Sequence, residues 1–244
     1  MLGDATKFSG YLLEASKGYD AEICLGVTTT TADAEGDVLE RRPVEAGGAD
    51  VAAVLARFVG PQTQVPPMHS ALKRGGTPLY VLARRGESVE RAPRKIEIFG
   101  LDLLSFGENR ATVRVACTKG TYVRTLAEDI GAVLGCGAHL SALRRTATGP
   151  FDIAQAISLE VLAGMTEAGR DACLAPPDGI LGQFPEVGLD QGAETRFRQG
   201  QTVAATGVRT GIYRVYGAGR RFLGLGGGGD DGALAPKRLL AEGD

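Results

Sequence analysis

The chain has 244 residues, 43% hydrophobic and 23% charged, with a formal net charge of -2. This composition builds a core and excludes a disordered chain, and the length suits one large domain or a medium domain with a small companion. No apolar run is long enough to span a bilayer, and the N-terminus lacks a basic-then-apolar leader, so a cytoplasmic protein is expected.

Read in chain order, residues 6–13 already look like packed structure, with apolar side chains at Phe8, Leu12 and Leu13. Tyr19–Val27 alternates apolar and polar residues and reads as a strand. The turn residues Asp33-Ala34-Glu35-Gly36-Asp37 then lead into a second extended stretch at Val38, which predicts a hairpin. Asp50 caps a predicted helix running to Phe58, with Val51, Val54, Leu55 and Phe58 on one face. Gly60 and Pro61 are expected to end it. Pro66-Pro67 forces an extended path, after which Pro78 opens a short helix carrying Leu79, Leu82 and Ala83. Residues 94–106 and 110–117 alternate clearly and predict antiparallel neighbours joined at Gly107-Glu108-Asn109. Residues 121–135 predict an amphipathic helix, with Val123, Leu126, Ile130 and Val133 or Leu134 inward and Gly135 at its end. Residues 138–151 read as a short helix and then a strand, and Ser158 opens another helix. From Phe184 the texture changes to short glycine-divided strands, with 211–226 the clearest hairpin. A small separate β-rich unit is expected there.

The charge is unevenly distributed. Residues 1–50 carry net -6, 68–98 net +4, 110–145 net +4 and 150–195 net -7. A near-neutral chain with its positive charge pooled in the middle can present a phosphate-binding surface. Composition leaves that reading and ordinary solvated charge equally open.

Several motifs reduce to plain structure. Gly224–Gly229 satisfies G-x-G-x-x-G but sits near the C-terminus with no βαβ context, so it predicts a flexible hairpin loop rather than a dinucleotide site. His69 and His139 have no carboxylate or cysteine at metal spacing, and no metal site is expected. Cys24, Cys117, Cys136 and Cys173 are widely spaced and read as reduced core thiols. The junction Thr118-Lys119-Gly120-Thr121-Tyr122 is more informative. There a strand gives way to a helix whose backbone N–H groups favour anions, Lys119 and Arg124 add positive charge, and Tyr122 offers a ring. Such a set suits a nucleotide; a plain strand–helix turn fits it equally well.

At this point the sequence strongly resembles the bacterial tRNA pseudouridine synthases of the TruB type. The blocks LGDATKFSGYL, KGYDAEICLG, DAEGDV, VPPMHSALKRGGTPLYVLARRG, CTKGTYVRTLAEDIG and LGCGAHLSALRRT occur in family order, and FLGLGGGGDDGALAPKRLL resembles the family's small C-terminal RNA-binding barrel of the PUA kind. The resemblance covers essentially the whole chain. It implies an α+β fold, a mixed and mainly antiparallel sheet with flanking helices, plus the small PUA-like β-barrel. Residues 1–183 would form the catalytic domain, with an RNA-binding thumb at about 63–95, and 184–244 the barrel. The implied reaction isomerises uridine 55 in the T-arm of tRNA, without metal or organic cofactor. The base is flipped from its stack, an aspartate attacks, the base detaches and turns, and carbon replaces nitrogen in the bond to ribose.

Residue by residue, the resemblance makes Tyr19 the ring that stacks on the flipped base, Tyr122 a second base contact and Leu143 the apolar wall. Arg124 would orient the catalytic aspartate. Lys73, Arg74, Tyr80, Arg84 and Arg85 would belong to the thumb, where His69 replaces a tyrosine often found in the family. The family places its nucleophile in a block like G-x-L-D-P-x-A-x-G, ahead of the segment with which this sequence opens. No such block occurs in these 244 residues. Asp4 and Asp33 lie in other family segments, so no residue is assigned as nucleophile. The expectation is an N-terminally truncated synthase, its first strand and catalytic loop missing, inactive as written. The alternative is a tRNA-binding or tRNA-chaperone protein of the same descent. Either form would be a monomer partnered by tRNA, with no DNA or membrane partner.

Overall fold

The elements expected from alternation and capping are mostly present in a computed structural model of the chain, which describes residues 1–241. They group into two units, Ala15–Ala156, and Met1–Glu14 together with the chain from Ile157 onward. The N-terminal piece is a 3-10 turn, Gly3–Phe8, followed by α1 (Ser9–Glu14). Phe8 is fully buried, whereas Leu13 is 71% exposed, so the three apolar residues noted there do not form one packed face.

The unit Ala15–Ala156 is built on strands β1 (Lys17–Leu25), β2 (Val27–Thr29), β3 (Val38–Arg41) and, after helix α2 (Gly48–Ala56), β4 (Gly60–Gln64). A small hairpin, β5 (Lys73–Arg74) and β6 (Thr77–Pro78), precedes α3 (Leu79–Arg84). Then come β7 (Arg94–Gly107), β8 (Arg110–Cys117), α4 (Val123–Val133), β9 (Ala138–Thr148) and β10 (Phe151–Asp152). Six strands form one sheet in the order β10-β9-β1-β8-β7-β4, every neighbour antiparallel. Glu108 and Asn109 take φ of 51° and 60°, the left-handed pair that a two-residue hairpin turn demands, and Gly107 faces Arg110 across it.

One face of this sheet is the core. Ala21, Ile23 and Leu25 of β1 and Val113, Val115 and Cys117 of β8 pack with Val51 and Leu55 of α2 and Val123, Leu126 and Ile130 of α4. Each large apolar side chain buried this way contributes about 1.5–3 kcal/mol. Leu134 rather than Val133 completes the inner stripe of α4; Val133 is exposed. The opposite face carries a row of alternating charge across four strands, Asp102, Arg114, Asp20 and Arg144.

Three expectations are corrected here. Residues 138–145 are strand, not helix, because β9 pairs along β1 from Leu25 to Lys17. Its register shifts where Ser141 and Thr146 are bypassed, and a bulge at Ser141 puts Leu140 and Leu143 on one face at a helix-like spacing of three. Helix α2 begins at Gly48 rather than Asp50, whose carboxylate instead accepts the Gly47 N–H at 2.8 Å. Gly60 and Pro61 begin β4 instead of merely ending that helix. Proline is tolerated there because β4 is an edge strand.

The second unit continues with α5 (Leu159–Gly164), α6 (Glu167–Asp171), β11 (Glu186–Gly188), α7 (Gln191–Arg198), β12 (Val203–Ala204), β13 (Gly211–Tyr216), β14 (Phe222–Gly228) and β15 (Ala233–Leu239). Ser158 does open α5, its hydroxyl accepting the Val161 N–H at 3.3 Å. The five strands form a sheet, β11-β13-β14-β15-β12, around Val187, Phe197, Val203, Val215, Leu223 and Leu234. The glycine run is not a flexible loop: Gly224–Gly228 lie within β14, paired on both sides. A side chain at Gly224 would overlap the Arg238 carbonyl, and one at Gly228 the Arg209 carbonyl, so close approach dictates glycine. All four cysteines are free; Cys117 and Cys136 are buried, but Cys173 is exposed and is no core thiol.

Candidate functional site

Strand β8 ends at Cys117, and the chain turns through Gly120 (φ 77°) into α4. The turn is fastened to β7: Thr118 N–H donates to the Glu97 carbonyl at 2.9 Å, and Glu97 N–H donates to the Thr118 hydroxyl at 2.9 Å. Tyr122 is the N-cap residue, extended and without a side-chain cap. Two residues on, the guanidinium of Arg124 projects from the first turn. It donates to Asp33 Oδ2 at 2.8 Å and to the His69 carbonyl at 2.7 Å.

Asp33 is held from all sides. Its Oδ1 accepts the Thr31 hydroxyl at 2.5 Å and the Glu35 N–H at 3.1 Å, and its carbonyl accepts the Thr29 hydroxyl at 2.7 Å. Its backbone bridges to Leu140 of β9. Ala32 has a φ of 61°, and a side chain at Gly36 would overlap Thr31, so the loop is tightly wound. Burial pushes the Asp33 carboxyl up. The Thr31 hydroxyl, the Glu35 amide and Arg124 outweigh that and hold it below the ordinary carboxylate value.

Tyr19 and Leu143 share the core face of the sheet, because Tyr19 lies beside Val115 and Arg145, and Leu143 opposite Ala21. The Arg145 guanidinium stands 5.5 Å from the centroid of the Tyr19 ring. Leu143 is 48% exposed although Ala21 opposite it and Leu140 on the same face are buried, which marks the place where the core opens to solvent. One aromatic ring, one aliphatic side chain and a cation thus stand side by side at the edge of the core.

The segment 65–93 leaves the sheet after β4 and returns at β7. Its base is tied where Arg91 donates to the Pro66 carbonyl at 3.3 Å. Lys73 and Arg74 lie on the exposed β5, Arg74 donating to the Glu90 carbonyl at 2.6 Å. Arg84 rides 5.4 Å over the Tyr80 ring on α3, and Arg85 follows at the helix end. No group of three or more His, Cys, Asp or Glu side chains converges as a metal site among the described residues. His69 serves Arg124 through its backbone, and His139 Nδ1 lies 2.9 Å from the Val27 carbonyl.

The sequence matches three family models in succession: the N-terminal domain of TruB family pseudouridylate synthase over residues 1–123, the tRNA pseudouridylate synthase B C-terminal domain over 124–181, and the C-terminal domain of pseudouridine synthase II TruB over 185–240. The chain belongs to the TruB family. Similar curated proteins include tRNA pseudouridine synthase B of Burkholderia mallei (strain NCTC 10247), 52% identical over 99% of this chain and 82% of its own length. That of Stutzerimonas stutzeri (strain A1501) is 49% identical over 98% of this chain and 80% of its own length. In fold the TruB-family chain is similar to a chain of a Cbf5-Nop10-Gar1 complex, at a TM-score of 0.68 and 23% identity over 99% of this chain and 70% of that one. It is also similar to a chain of an H/ACA RNP bound to a substrate RNA containing 2'-deoxyuridine, at 0.70 and 21% identity, covering 100% and 71%. The family's enzyme class is isomerase, its members being pseudouridine synthases acting in tRNA modification. No helix among the described residues is long and apolar enough to cross a membrane.

Two residues of this hydrogen-bonded arrangement carry no role in the sequence reading of the TruB-family chain. Asp33 lies in the DAEGDV block, one of those that carry the resemblance, but the resemblance gives it no role at the site. Gln64 bonds to Tyr122 across 58 positions and leaves no local signature.

Proposed function

We propose that this chain recognises uridine 55 in the T-arm of tRNA, with the base flipped against Tyr19. Tyr19 would stack on the base, Leu143 would wall it, and Tyr122 would meet it at the start of α4. Arg145, beside the Tyr19 ring, adds a cation where a phosphate or the electron-rich base can meet it. Lys73, Arg74, Tyr80, Arg84 and Arg85 would grip the RNA loop as a thumb on the catalytic domain, residues 1–183, while 184–244 adds an RNA-binding PUA-like barrel. The observation that carries the reading is the shared face of Tyr19 and Leu143 in a chain about half identical to tRNA pseudouridine synthase B over nearly all its length.

For chemistry, the 244 residues hold no G-x-L-D-P block. Asp33 is the carboxylate bonded to Arg124, yet three hydrogen-bond donors occupy its two side-chain oxygens. A carboxylate so engaged, with its proton affinity lowered, is a poor nucleophile. We therefore read residues 1–244 as a monomer that binds tRNA without turnover. The same saturation of Asp33 favours the second reading, a non-catalytic tRNA-binding protein.

Residues 1–244 incubated with an unmodified tRNA transcript are expected to form no pseudouridine at position 55. Turnover at the rate of an intact relative would overturn the nucleophile argument, and its loss in Asp33→Asn would transfer the role to Asp33. A T-arm hairpin is expected to bind, with affinity reduced on the order of tenfold by Tyr19→Ala, the worth of one base stack. Binding indifferent to that change sinks the pocket reading.

A further inference from the structure

Gln64 ends β4 at the point where the chain leaves the sheet, and it is only 4% exposed. Its Oε1 accepts the Tyr122 N–H at 2.8 Å, and its Nε2 donates to the Tyr122 carbonyl at 3.1 Å. A primary amide offers an acceptor and a donor side by side, so the Gln64 side chain addresses Tyr122 much as a neighbouring strand backbone would. Tyr122 lacks a side-chain cap of its own, and α4 starts from it. One turn of that helix then carries Arg124, which bonds both Asp33 and the carbonyl of His69. Residue 69 belongs to the segment that begins just beyond Gln64. Four hydrogen bonds therefore fix the root of that segment, the start of α4 and Asp33 to one another.

We propose that Gln64 is a positioning residue for the base pocket, setting Tyr122 and, through the first turn of α4, the Arg124 guanidinium. The inference rests on the uridine-pocket reading above and extends it to a residue that touches no base. Removing the amide leaves the Tyr122 N–H without its partner and the Tyr122 carbonyl with only the Leu126 N–H of α4, so the N-cap residue loses both bonds that tie it to the end of β4.

The test compares two T-arm hairpins, one with uridine at the target position and one abasic there, and reads the ratio of their affinities for the full chain. The unsubstituted chain is expected to prefer uridine on the order of tenfold. Gln64→Leu is expected to bring the ratio close to one, while affinity for the abasic hairpin and its salt dependence stay as they were. Gln64→Glu supplies a finer readout. At neutral pH its carboxylate keeps the acceptor for Tyr122 N–H but faces the Tyr122 carbonyl without a proton. Protonated, it again presents one acceptor and one donor, so the uridine preference should return as pH falls.

A Gln64 that only stabilised the fold would lower the melting temperature and weaken both hairpins alike. That result, or a normal ratio in both variants, overturns the proposal. If the unsubstituted chain shows no uridine preference, the pocket reading falls and takes this one with it. A preference that survives both substitutions defeats Gln64 alone. Should Gln64→Leu fail to fold, the Gln64→Glu titration decides, and a ratio flat in pH counts against the proposal.

Discussion

Asp33 and Arg124 carry much of the site's electrostatics, and their linkage to pH has a definite sign. The folded Asp33 carboxyl sits below its ordinary value, so it adds stability at neutral pH that is lost as pH falls through the depressed value. Asp33→Asn is expected to cost about 1–3 kcal/mol at neutral pH, the scale of losing hydrogen bonds to a charged group. The difference from the unsubstituted chain should shrink steadily below about pH 4, where the unfolded carboxyl is itself protonated. Urea melts of both proteins across that range measure it, and a difference that grows in acid would contradict the assignment. Because Arg124 also bonds the His69 carbonyl, the same substitution should leave the guanidinium partly held rather than released.

At the level of elements, glycines decide how closely strands and helices approach. Gly131 lies on α4 where an added methyl would overlap the Ala138 amide nitrogen at the start of β9. Gly131→Ala should therefore lift α4 from β9, cost about 1–3 kcal/mol, and weaken uridine preference as well as stability. Gly224→Ala should destabilise the barrel unit comparably and leave uridine preference in place, since its clash is with Arg238. Denaturant melts together with the hairpin ratio separate the two outcomes. These positions also show what was legible in the sequence. The β7–β8 pair could be read because its alternation is clean and Glu108-Asn109 is a turn that explains itself locally. Strand β9 could not, because a bulge disguised its period, and the glycines of β14 looked like a loop because the strands crowding them are remote in sequence. At the site, Tyr19, Tyr122, Arg124 and Leu143 stood in recognisable blocks. Asp33 stood in such a block with no implied role and Gln64 in none, since each acts through a partner 91 or 58 positions away.

For the whole molecule, the separation of charge along the chain makes a prediction that bulk composition hides. With net +4 pooled in residues 68–98, affinity for a T-arm hairpin should fall steeply with salt although the chain is net negative. Removing both Arg84 and Arg85 by alanine substitution should reduce the magnitude of the log–log salt slope by about 1–2, and an unchanged slope would remove the thumb from the interface. A last consequence comes from the place of β1 in the sheet. Strands β7 and β8 close across two residues, but β1 meets β8 through contacts such as Arg110–Glu22 and Arg114–Asp20, 88 and 94 positions apart. Its other neighbour, β9, lies still further along the chain. Loop-closure entropy makes this the costliest docking in the sheet, so the strand bearing Tyr19 is expected to join after the local β7–β8 hairpin, and pulsed hydrogen exchange that protects β1 before β7 and β8 would contradict this. Until β1 docks, β9-β10 and β8-β7-β4 have no strand between them, and the base has no ring on which to rest.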